Sequence, residues 1–383
     1  MKNEIMNLKT VTVNASHKYD VVIGSGALNS AGELIAALDR GSVNGCTGNP
    51  GVRSACAGAA SRILLVSDDT VYSLYGEKTL NALKTAGFEI SSYIFPHGES
   101  SKNLETYVGI LKRGLDAGMT RNDIFVALGG GVTGDLTGFA AATFKRGVRF
   151  VQIPTTLLAA VDASVGGKTG IDLEGAKNQV GAFHQPSLVI CDPELLKTLP
   201  EDQFKSGLAE VIKTAMIADE NLFDSLSDYK DLQDFRSGNI TEVIGRCVEI
   251  KRDFVLADEF DRGERMILNF GHTVGHGIEA KSGFSVLHGY AVAAGMAVVS
   301  RAACNRNMCS DEIPAKLERM LEKFGLPADT DYSAEDVLPF ISGDKKASGK
   351  LINIVVPRSI GKCEIVPLPL SGVEEFLYDG GLR

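Results

Sequence analysis

The sequence is poor in several features that mark membrane, secreted or nucleic-acid-binding proteins. It has no tryptophan, and its 48 acidic residues outnumber its 39 lysine and arginine residues, which gives a net charge of −9. A surface that binds the nucleic-acid backbone needs surplus positive charge, so the charge argues against that partner. The longest weakly polar run, residues 290–300, is too short to span a bilayer. The amino terminus, MKNEIMNLKT, has no apolar stretch typical of a signal peptide, so we expect a cytoplasmic protein with no membrane partner.

Cysteine offers little evidence for cross-links. The seven cysteines are odd in number and include no C-x-x-C pair. Such scattered residues are typical of reduced cytosolic thiols and not of a disulfide framework. Cys304 and Cys309 are the closest pair in sequence, and two thiols alone do not make a zinc site.

The first half of the chain has the pattern of an α/β domain. A length of 383 residues, with 44% hydrophobic residues, predicts a globular protein of two domains. Short apolar runs alternate with amphipathic stretches of helical period. The predicted strands are 19–24, 62–69, 89–95, 123–131, 150–156 and 187–192, and the clearest predicted helices are 73–87 and 103–118. This alternation indicates a Rossmann-like parallel sheet with helices on both faces, which binds ligands where its strands end.

The second half has a different character. After Pro200, apolar residues recur at three- and four-residue spacing, which predicts mainly helical structure. We place an α/β domain at residues 1–195 and a helical domain at residues 196–383. Residues 41–62 are rich in glycine, alanine, serine and asparagine. We interpret them as a flexible surface insertion, because connections of that length are unusual in a compact domain.

Histidine is scarce but concentrated. Three of the six histidines, His272, His276 and His288, lie within residues 269–288. Imidazole is the commonest metal ligand and moves protons near neutral pH. His272 and His276 are four residues apart and share one face of a predicted helix, so spacing alone favours them as a ligand pair. The alternative is a pair of buried structural histidines.

An acidic residue in another apolar helix could complete a metal site. Glu210 lies in the segment GLAEVIKTAMI, three residues before Lys213. One carboxylate with two imidazoles and an open position is a common catalytic zinc set. A surface ion pair between Glu210 and Lys213, three residues apart on one helix, is the alternative.

Residues 129–134, GGGVTG, match the G-x-G-x-x-G pattern between an apolar strand and a predicted helix that starts near Asp135. Glycines at such a turn let backbone N–H groups approach a pyrophosphate, so the pattern favours dinucleotide binding over a purely structural turn. The acidic residue expected about 20 positions later is missing, since Asp162 comes too late. Glu99 and Lys102 follow another predicted strand and either hold ribose and phosphate or belong to a solvated loop.

Function-capable side chains also accumulate outside these motifs. Residues 145–183 contain Arg146, Thr155, Thr156, Asp162, Lys168, Lys177 and Asn178 in an apolar context, where charges are costly unless paired or bound to a ligand. Lys251, Arg265 and Asn269 precede the histidines and suit a phosphate or carboxylate, and Lys345 and Lys346 lie in a late basic loop. The glycine turn, the oxygen- and nitrogen-ligand metal site and these cations indicate NAD-linked chemistry on a polyhydroxylated anionic substrate.

Six segments, in this order, resemble the 3-dehydroquinate synthase family of the sugar-phosphate cyclases. They are GGGVTGDLTGFAAATFKRG, VQIPTTLLAAVDASVGGKTGID, KNQVGAFHQP, SGLAEVIKTAMI, LNFGHTVGHGIE and LHGYAVAAGM. The resemblance implies an NAD-binding α/β domain, a helical metal- and substrate-binding domain, one divalent metal (zinc or cobalt) and a homodimer. The implied reaction converts the sugar phosphate 3-deoxy-D-arabino-heptulosonate 7-phosphate to 3-dehydroquinate and phosphate. It proceeds by transient oxidation with NAD, phosphate elimination, re-reduction and aldol closure.

The resemblance also implies roles for individual residues. The implied metal ligands are Glu210, His272 and His288, which moves His276 to the substrate. The implied NAD contacts are Asp68, Glu99, Ser100, Ser101, Lys102, Gly130, Gly131, Val132, Thr133, Gly134, Asp135, Thr155, Thr156, Lys168, Lys177, Leu195, Leu196, Lys197 and Thr198. The implied catalytic and substrate-binding residues are Arg146, which reaches across a dimer, Asp162, Lys168, Asn178, Lys213, Lys251, Arg265, Asn269, His276 and either Lys345 or Lys346.

One departure and three alternatives accompany this interpretation. His184 stands where the family often has an aromatic residue, which weakens one packing contact. The alternatives are a related cyclase such as a 2-deoxy-scyllo-inosose synthase, a metal-dependent polyol dehydrogenase, and a sugar-phosphate sensor that binds NAD without turnover. Lys251, Arg265 and Asn269 favour a substrate with a carboxylate, which the first alternative lacks. Net production of NADH would indicate the dehydrogenase, and the full metal set argues against the sensor.

Overall fold

The computed structural model describes residues 8–43, 62–174, 176–343 and 351–383. The chain divides into two compact units, Met1–Leu199 and Pro200–Arg383. The boundary expected from sequence, after residue 195, falls within a short 3₁₀ helix, Pro193–Thr198, which belongs to the first unit.

The first unit contains a seven-stranded sheet and a two-stranded hairpin. In chain order its elements are β1 (Lys9–Asn14), β2 (Lys18–Ile23), α1 (Ala31–Val43), β3 (Arg62–Asp68), α2 (Asp69–Val71), α3 (Glu77–Thr85), β4 (Glu89–Phe95), α4 (Leu104–Asp116), β5 (Ile124–Gly129), α5 (Gly131–Thr143), β6 (Arg149–Pro154), β7 (Lys168–Leu173), β8 (Ala176–Phe183) and β9 (Leu188–Cys191). The sheet order is β1-β2-β9-β6-β5-β3-β4, and β7 pairs with β8 in the hairpin. Within the sheet, β1 and β2 are antiparallel and the remaining pairs are parallel.

Both faces of this sheet are covered, as the sequence predicts. Ile63 and Leu65 of β3 enter one hydrophobic core, whereas Leu64 and Val66 enter another. Successive side chains of a strand point to opposite faces, so the two cores lie on opposite sides of the sheet. Every residue of β5 is buried, which explains why its sequence is an uninterrupted apolar run.

Four features of the first unit differ from the sequence predictions or were not predicted. Strand β1 and the hairpin of β7 and β8 were not predicted, and the helix expected from residue 73 begins as a π-helix, Tyr72–Gly76. The proposed insertion at 41–62 is too wide at both ends, because α1 continues to Val43 and β3 starts at Arg62. The rest of that stretch lies outside the described residues.

The second unit is mainly helical, as expected. Its elements are α6 (Glu201–Ala218), α7 (Glu220–Asp228), α8 (Leu232–Ser237), α9 (Ile240–Ala257), α10 (His272–Lys281), α11 (His288–Asn305), α12 (Glu312–Lys323), α13 (Ala334–Gly343), β10 (Leu351–Ser359), β11 (Lys362–Pro369) and α14 (Val373–Asp379). The antiparallel pair of β10 and β11 was not predicted. Across the described ranges, no helix is both long enough and apolar enough to cross a bilayer.

Candidate active site

Three helices of the second unit bring together the carboxylate and the two imidazoles of a metal cluster. Glu210 lies within α6, His272 is the first residue of α10, and His288 is the first residue of α11. The ligand atoms of these three residues, which we call the metal cluster, all lie within 4.8 Å of one another. Oε1 of Glu210 is 3.7 Å from Nε2 of His272 and 3.4 Å from Nε2 of His288. One carboxylate and two imidazoles fit a divalent cation with positions left for substrate.

Hydrogen bonds fix which nitrogen of each imidazole is offered to a cation. Nδ1 of His272 lies 3.1 Å from the carbonyl oxygen of Phe270, and Nδ1 of His288 lies 3.1 Å from Oε2 of Glu279. These oxygens can accept the Nδ1–H, and each Nε2 is the ring nitrogen that faces Glu210. Glu279 is almost fully buried, so its carboxylate holds the ring of His288 as outer residues of metal sites commonly do.

The two imidazoles differ in their protonation. Burial lowers the pKa of His272 to about 3, so this ring is neutral and ready to bind a metal. Burial also acts to lower the pKa of His288, but hydrogen bonds to the Glu210 and Glu279 carboxylates outweigh it and raise that pKa to about 9. A cation at the cluster therefore competes with a proton on His288.

His276 does not take the position that spacing alone suggests. It is exposed, and its ring centroid lies 5.3 Å from that of His272 and 6.0 Å from that of His288. In the part of the chain that the structure describes, His272 and His276 do not share a three-ligand group, so the ligand pair favoured by spacing is wrong. His276, Glu279 and His288 form a second close group, but Glu279 there already accepts the Nδ1–H of His288.

Glycines let the helices that carry the cluster approach backbone to backbone. A Cβ atom on Gly289 would lie 2.0 Å from the carbonyl oxygen of Ser206, and a Cβ atom on Gly295 would lie 2.2 Å from that of Gly271. The N–H of Gly289 also donates to Oγ of Ser206 at 2.9 Å. These contacts join α11 to α6 and to the residue that precedes α10, so the spacing of the three ligands is set by main chain.

The basic residues predicted near the cluster lie in α6 or in elements that contact it. Lys213 is buried and contacts Oε2 of Glu210, so this pair is not a surface ion pair. Lys251 in α9 is also buried. Arg265 is 2% exposed, and its Nη1 donates to the carbonyl oxygen of Glu259 at 2.5 Å. Arg265 and Asn269 lie in a 3₁₀ helix, Glu264–Asn269.

The glycine-rich pattern of the first unit forms a strand-to-helix turn, Gly129–Gly134, which we call the glycine turn. Strand β5 ends at Gly129 and α5 begins at Gly131, earlier than the predicted start near Asp135. A Cβ atom on Gly129 would lie 2.3 Å from Oγ1 of Thr133, and one on Gly134 would lie 2.5 Å from Oε1 of Gln152. Glycine is therefore required at Gly129, whereas a Cβ atom at Gly134 would displace only the end of the Gln152 side chain. The first N–H groups of α5 suit a pyrophosphate, as at other dinucleotide sites.

The threonines beside the glycine turn fit a bound cofactor. The N–H of Thr155 donates to the carbonyl oxygen of Gly129 at 3.0 Å, which holds β6 beside the turn. Oγ1 of Thr155 is buried and has no hydrogen-bond partner in the described residues, so it can bond a ligand. Thr133 is buried and points its Oγ1 at Asp68, 3.5 Å from Oδ2, and Oγ1 of Thr156 accepts the N–H of Ala159 at 3.1 Å.

Lys102 joins residues that sequence analysis assigned to NAD and to substrate. The side chain is buried, so the solvated-loop alternative is wrong for it. Its Nζ lies 2.6 Å from Oδ2 of Asp135 and donates to Oδ1 of Asn178 at 2.5 Å. Burial acts to lower the pKa of Lys102, but the Asp135 and Glu99 carboxylates outweigh it and raise that pKa. Lys177 lies 3.5 Å from Glu99, so five proposed contact residues, Glu99, Lys102, Asp135, Lys177 and Asn178, form one polar network.

The remaining proposed residues of the first unit differ in their exposure to solvent. Leu195 and Leu196 are buried, whereas Lys197 and Thr198 are exposed. Ser101 is also buried, and Gly130 and Val132 are partly buried. Asp162 is partly buried in a π-helix, Ala159–Ala163. The other exposed residues are Ser100, Arg146 and Lys168, which starts β7. Lys345 and Lys346 lie outside the described residues, so neither can be placed.

The structure adds residues that sequence reasoning missed. Glu279 is one of them, and it lies in the segment LNFGHTVGHGIE, three residues after His276. A carboxylate on a helix that carries histidines signals a possible hydrogen-bond partner for a metal ligand. Tyr75 is another, because its Oη donates to the carbonyl oxygen of Leu195 at 3.1 Å and lies 2.6 Å from Oγ1 of Thr198. No local pattern predicts that contact.

Comparisons with known proteins agree across nearly the whole chain. Residues 92–206 match the family described as 3-dehydroquinate synthase N-terminal, and residues 207–347 match 3-dehydroquinate synthase C-terminal. The 3-dehydroquinate synthase of Lactococcus lactis subsp. cremoris (strain MG1363) is 42% identical over 365 residues, which cover 94% of this chain and 97% of the relative.

Two solved structures are also similar. One is the 2-epi-5-epi-valiolone synthase of Streptomyces hygroscopicus subsp. jinggangensis 5008 with NAD⁺ and Zn²⁺ bound; it is 27% identical with a TM-score of 0.81, covering 97% of this chain and 99% of that one. The other is a 2-deoxy-scyllo-inosose synthase complexed with carbaglucose-6-phosphate, NAD⁺ and Co²⁺. It has a TM-score of 0.83 at 23% identity, covers 96% of this chain and 99% of its own, and shows a shared fold.

Proposed function

Because the chain belongs to the 3-dehydroquinate synthase family, we propose that the residues grouped above carry out the reaction of that family. The protein is a phosphate-eliminating lyase that converts 3-deoxy-D-arabino-heptulosonate 7-phosphate to 3-dehydroquinate and inorganic phosphate, with NAD and a divalent metal. The observation that carries the residue assignment is the metal cluster. Three residues far apart in sequence present their ligand atoms within 4.8 Å of one another.

Glu210, His272 and His288 would hold the metal, and the glycine turn with Thr155 would hold NAD. When bound, NAD supplies reversible hydride acceptance and the metal supplies Lewis acidity at the hydroxyl that is oxidised. The Glu210 carboxylate is buried, and the Nε2 atoms of His272 and His288 both face that carboxylate, an arrangement that favours metal binding. The glycines at the N terminus of α5 leave room there, where a pyrophosphate would bind.

Buried cations of the second unit bind the charged groups of the substrate. Lys213, Lys251 and Arg265 are each at least nine-tenths buried. A cation in such surroundings attracts a phosphate or carboxylate more strongly than one in water, and the planar guanidinium of Arg265 suits bidentate contacts. Asn269 offers an amide for the substrate hydroxyls. This set explains preference for a substrate that carries both a phosphate and a carboxylate.

Exposed and partly buried groups complete the proposed set of substrate contacts. The imidazole of His276 is exposed beside the metal cluster, so it can exchange a proton with solvent as the substrate is deprotonated. Lys168 and Asn178 of the hairpin bind substrate polar groups, and Asp162 orients them. Arg146 lies in a turn with a positive φ of 68°, a strained conformation for a non-glycine residue. We assign Arg146 to the substrate of a partner subunit in a homodimer, and we place the enzyme in the cytoplasm.

The reaction itself provides the test. Purified protein should release inorganic phosphate from the heptulosonate phosphate with substoichiometric NAD, and absorbance at the NADH wavelength should stay flat. A hexose 6-phosphate without a carboxylate should be a poor substrate. Flat phosphate together with NADH that rises on glycerol would instead identify a polyol dehydrogenase. The oligomeric state is measured independently by sedimentation of the same preparation.

A further inference from the structure

Asp172 occupies an irregular place in the hairpin of β7 and β8. The pairing register shifts between Ile171 and Leu173, so Asp172 lies at a bulge and faces the stretch Lys177–Gln179 of the neighbouring strand. Bulges interrupt the ladder of a hairpin and redirect a side chain, and they are frequent beside active sites. Here the extra residues lie in β8, and opposite them Asp172 of β7 carries a carboxylate that the residue assignments above leave without a role.

Asp172 closes a ring of three hydrogen bonds. Its own N–H donates to the carbonyl oxygen of Lys102 at 2.8 Å, and its Oδ1 accepts the N–H of Asn178 at 2.8 Å. The third bond is the contact of 2.5 Å from Nζ of Lys102 to Oδ1 of Asn178. Two segments that are far apart in sequence are thereby joined through one aspartate.

The backbone of Asn178 needs such a partner. Its φ is 55°, in the left-handed region that non-glycine residues seldom adopt. A conformation of this kind persists where the surroundings hold it. The bond from the Asn178 N–H to Asp172 provides that hold, and it turns the Asn178 amide towards Lys102.

The surroundings of Asp172 act on the pKa of its carboxyl in opposite directions. Burial acts to raise the pKa of the Asp172 carboxyl, while the N–H of Asn178 and the ammonium group of Lys102 act to lower it, and the net shift is upward. Glu99 and Lys177 are the other charged groups that face it. The carboxylate thus adds to the negative surroundings that keep Lys102 charged.

We propose that Asp172 is a positioning residue, which holds Asn178 in its left-handed conformation and so fixes the Asn178 and Lys102 side chains for substrate and NAD. This inference rests on the proposed function for the identity of the two ligands. Asp172 itself touches neither ligand and acts through the ring of hydrogen bonds.

Three variants separate this role from general damage or loss of charge. Asp172→Ala removes the acceptor, whereas Asp172→Asn keeps an oxygen at the same position and loses the charge. Glu174→Gln, in the same hairpin, loses a charge without touching Asn178. We expect Asp172→Ala to raise the KM for the heptulosonate phosphate about tenfold, the usual effect of one lost bond to a charged group, and to change kcat much less. Asp172→Asn should restore most of the affinity, and Glu174→Gln should match wild type.

Amide hydrogen exchange gives a readout that does not depend on turnover. The N–H of Asn178 should exchange slowly in wild type and in Asp172→Asn, and much faster in Asp172→Ala. Thermal midpoints of all three variants show whether the fold is retained. An unchanged KM with unchanged exchange in Asp172→Ala would overturn the proposal, and so would an Asp172→Asn variant as impaired as Asp172→Ala. If wild type releases no phosphate, the proposed function fails, while the exchange measurement still decides the role of Asp172.

Discussion

The metal cluster and the glycine turn solve the problem of ligand binding in opposite ways. The cluster depends on particular side chains, since Glu210, His272 and His288 each supply a ligand atom from a different helix. The glycine turn depends on the absence of side chains, because a Cβ atom at Gly129 or Gly134 would meet Thr133 or Gln152. A cation needs specific donor atoms, whereas a pyrophosphate can be bound by the N–H groups that every backbone carries.

This contrast predicts that loss of one donor in the metal cluster has the largest effect. Glu210→Ala should abolish metal binding and lower kcat/KM by about 10³-fold or more, because a catalytic metal supplies several kcal/mol of stabilisation. It should also destabilise the fold by about 3 kcal/mol, since the buried Lys213 loses the contact with its carboxylate. Elemental analysis measures the metal content, and thermal unfolding measures the stability.

NAD affinity should survive in Glu210→Ala. Glu201→Ala, at an exposed position in the same helix, is the matched control. Full metal content in Glu210→Ala would remove it from the ligand set.

Glu279 tests whether the cluster extends beyond its three ligands. Removing the carboxylate in Glu279→Ala should weaken metal binding about 10- to 100-fold, the usual effect of losing the partner of a metal-bound histidine. Glu279→Gln keeps an oxygen that can accept the Nδ1–H of His288, so it should fall between wild type and Glu279→Ala. Competition with a chromogenic chelator measures the affinity. Identical affinities for all three proteins would show that His288 needs no such support.

The glycine turn should be sensitive to addition of a single methyl group. Gly129→Ala places a Cβ atom 2.6 Å from Cβ of Thr133, so the turn must shift. We expect a loss of stability of about 1–3 kcal/mol, as for other overpacked sites, and weaker NAD binding with unchanged metal content. At Gly131 the added atom would lie 3.6 Å from Ala163, an ordinary contact, so Gly131→Ala controls for stability. Equal stability of the two variants would contradict the steric argument.

The smallest effect concerns a side chain outside both sites. His184 stacks on Phe150, with ring centroids 5.3 Å apart, and so takes the place of the aromatic residue common in the family. Burial lowers the pKa of His184, and the carbonyl oxygen of Val148 only partly opposes this. The stability that neutral His184 provides is therefore present above the unfolded pKa of about 6.5 and is lost as pH falls towards the lower folded value. His184→Phe should keep activity, and its melting temperature should fall less than that of wild type between pH 7 and pH 5.

The glycine turn was easier to predict from sequence than the metal cluster. The glycine turn and the buried strands are local patterns, and each predicted strand has a counterpart in the sheet. Glu210 and the histidines were identifiable as candidate ligands by residue type. Helical spacing alone favoured His276, because spacing within one helix carries no information on which other helix packs nearby. The choice of His288 came from family resemblance. The contact of Tyr75 with Leu195 joins distant segments and had no sequence signal, and for Glu279 the sequence signals a partner of a ligand without showing that the ligand is His288.

The close approach of main chain at Gly289 and Gly295 has a consequence for the apoprotein. Main-chain contacts at these glycines set the distances among α6, α10 and α11, so the helices that carry the ligands need no ion to approach one another. Stripped enzyme should therefore recover on adding zinc or cobalt with no slow refolding phase. A cell could then exchange one ion for another according to supply, without building the protein anew.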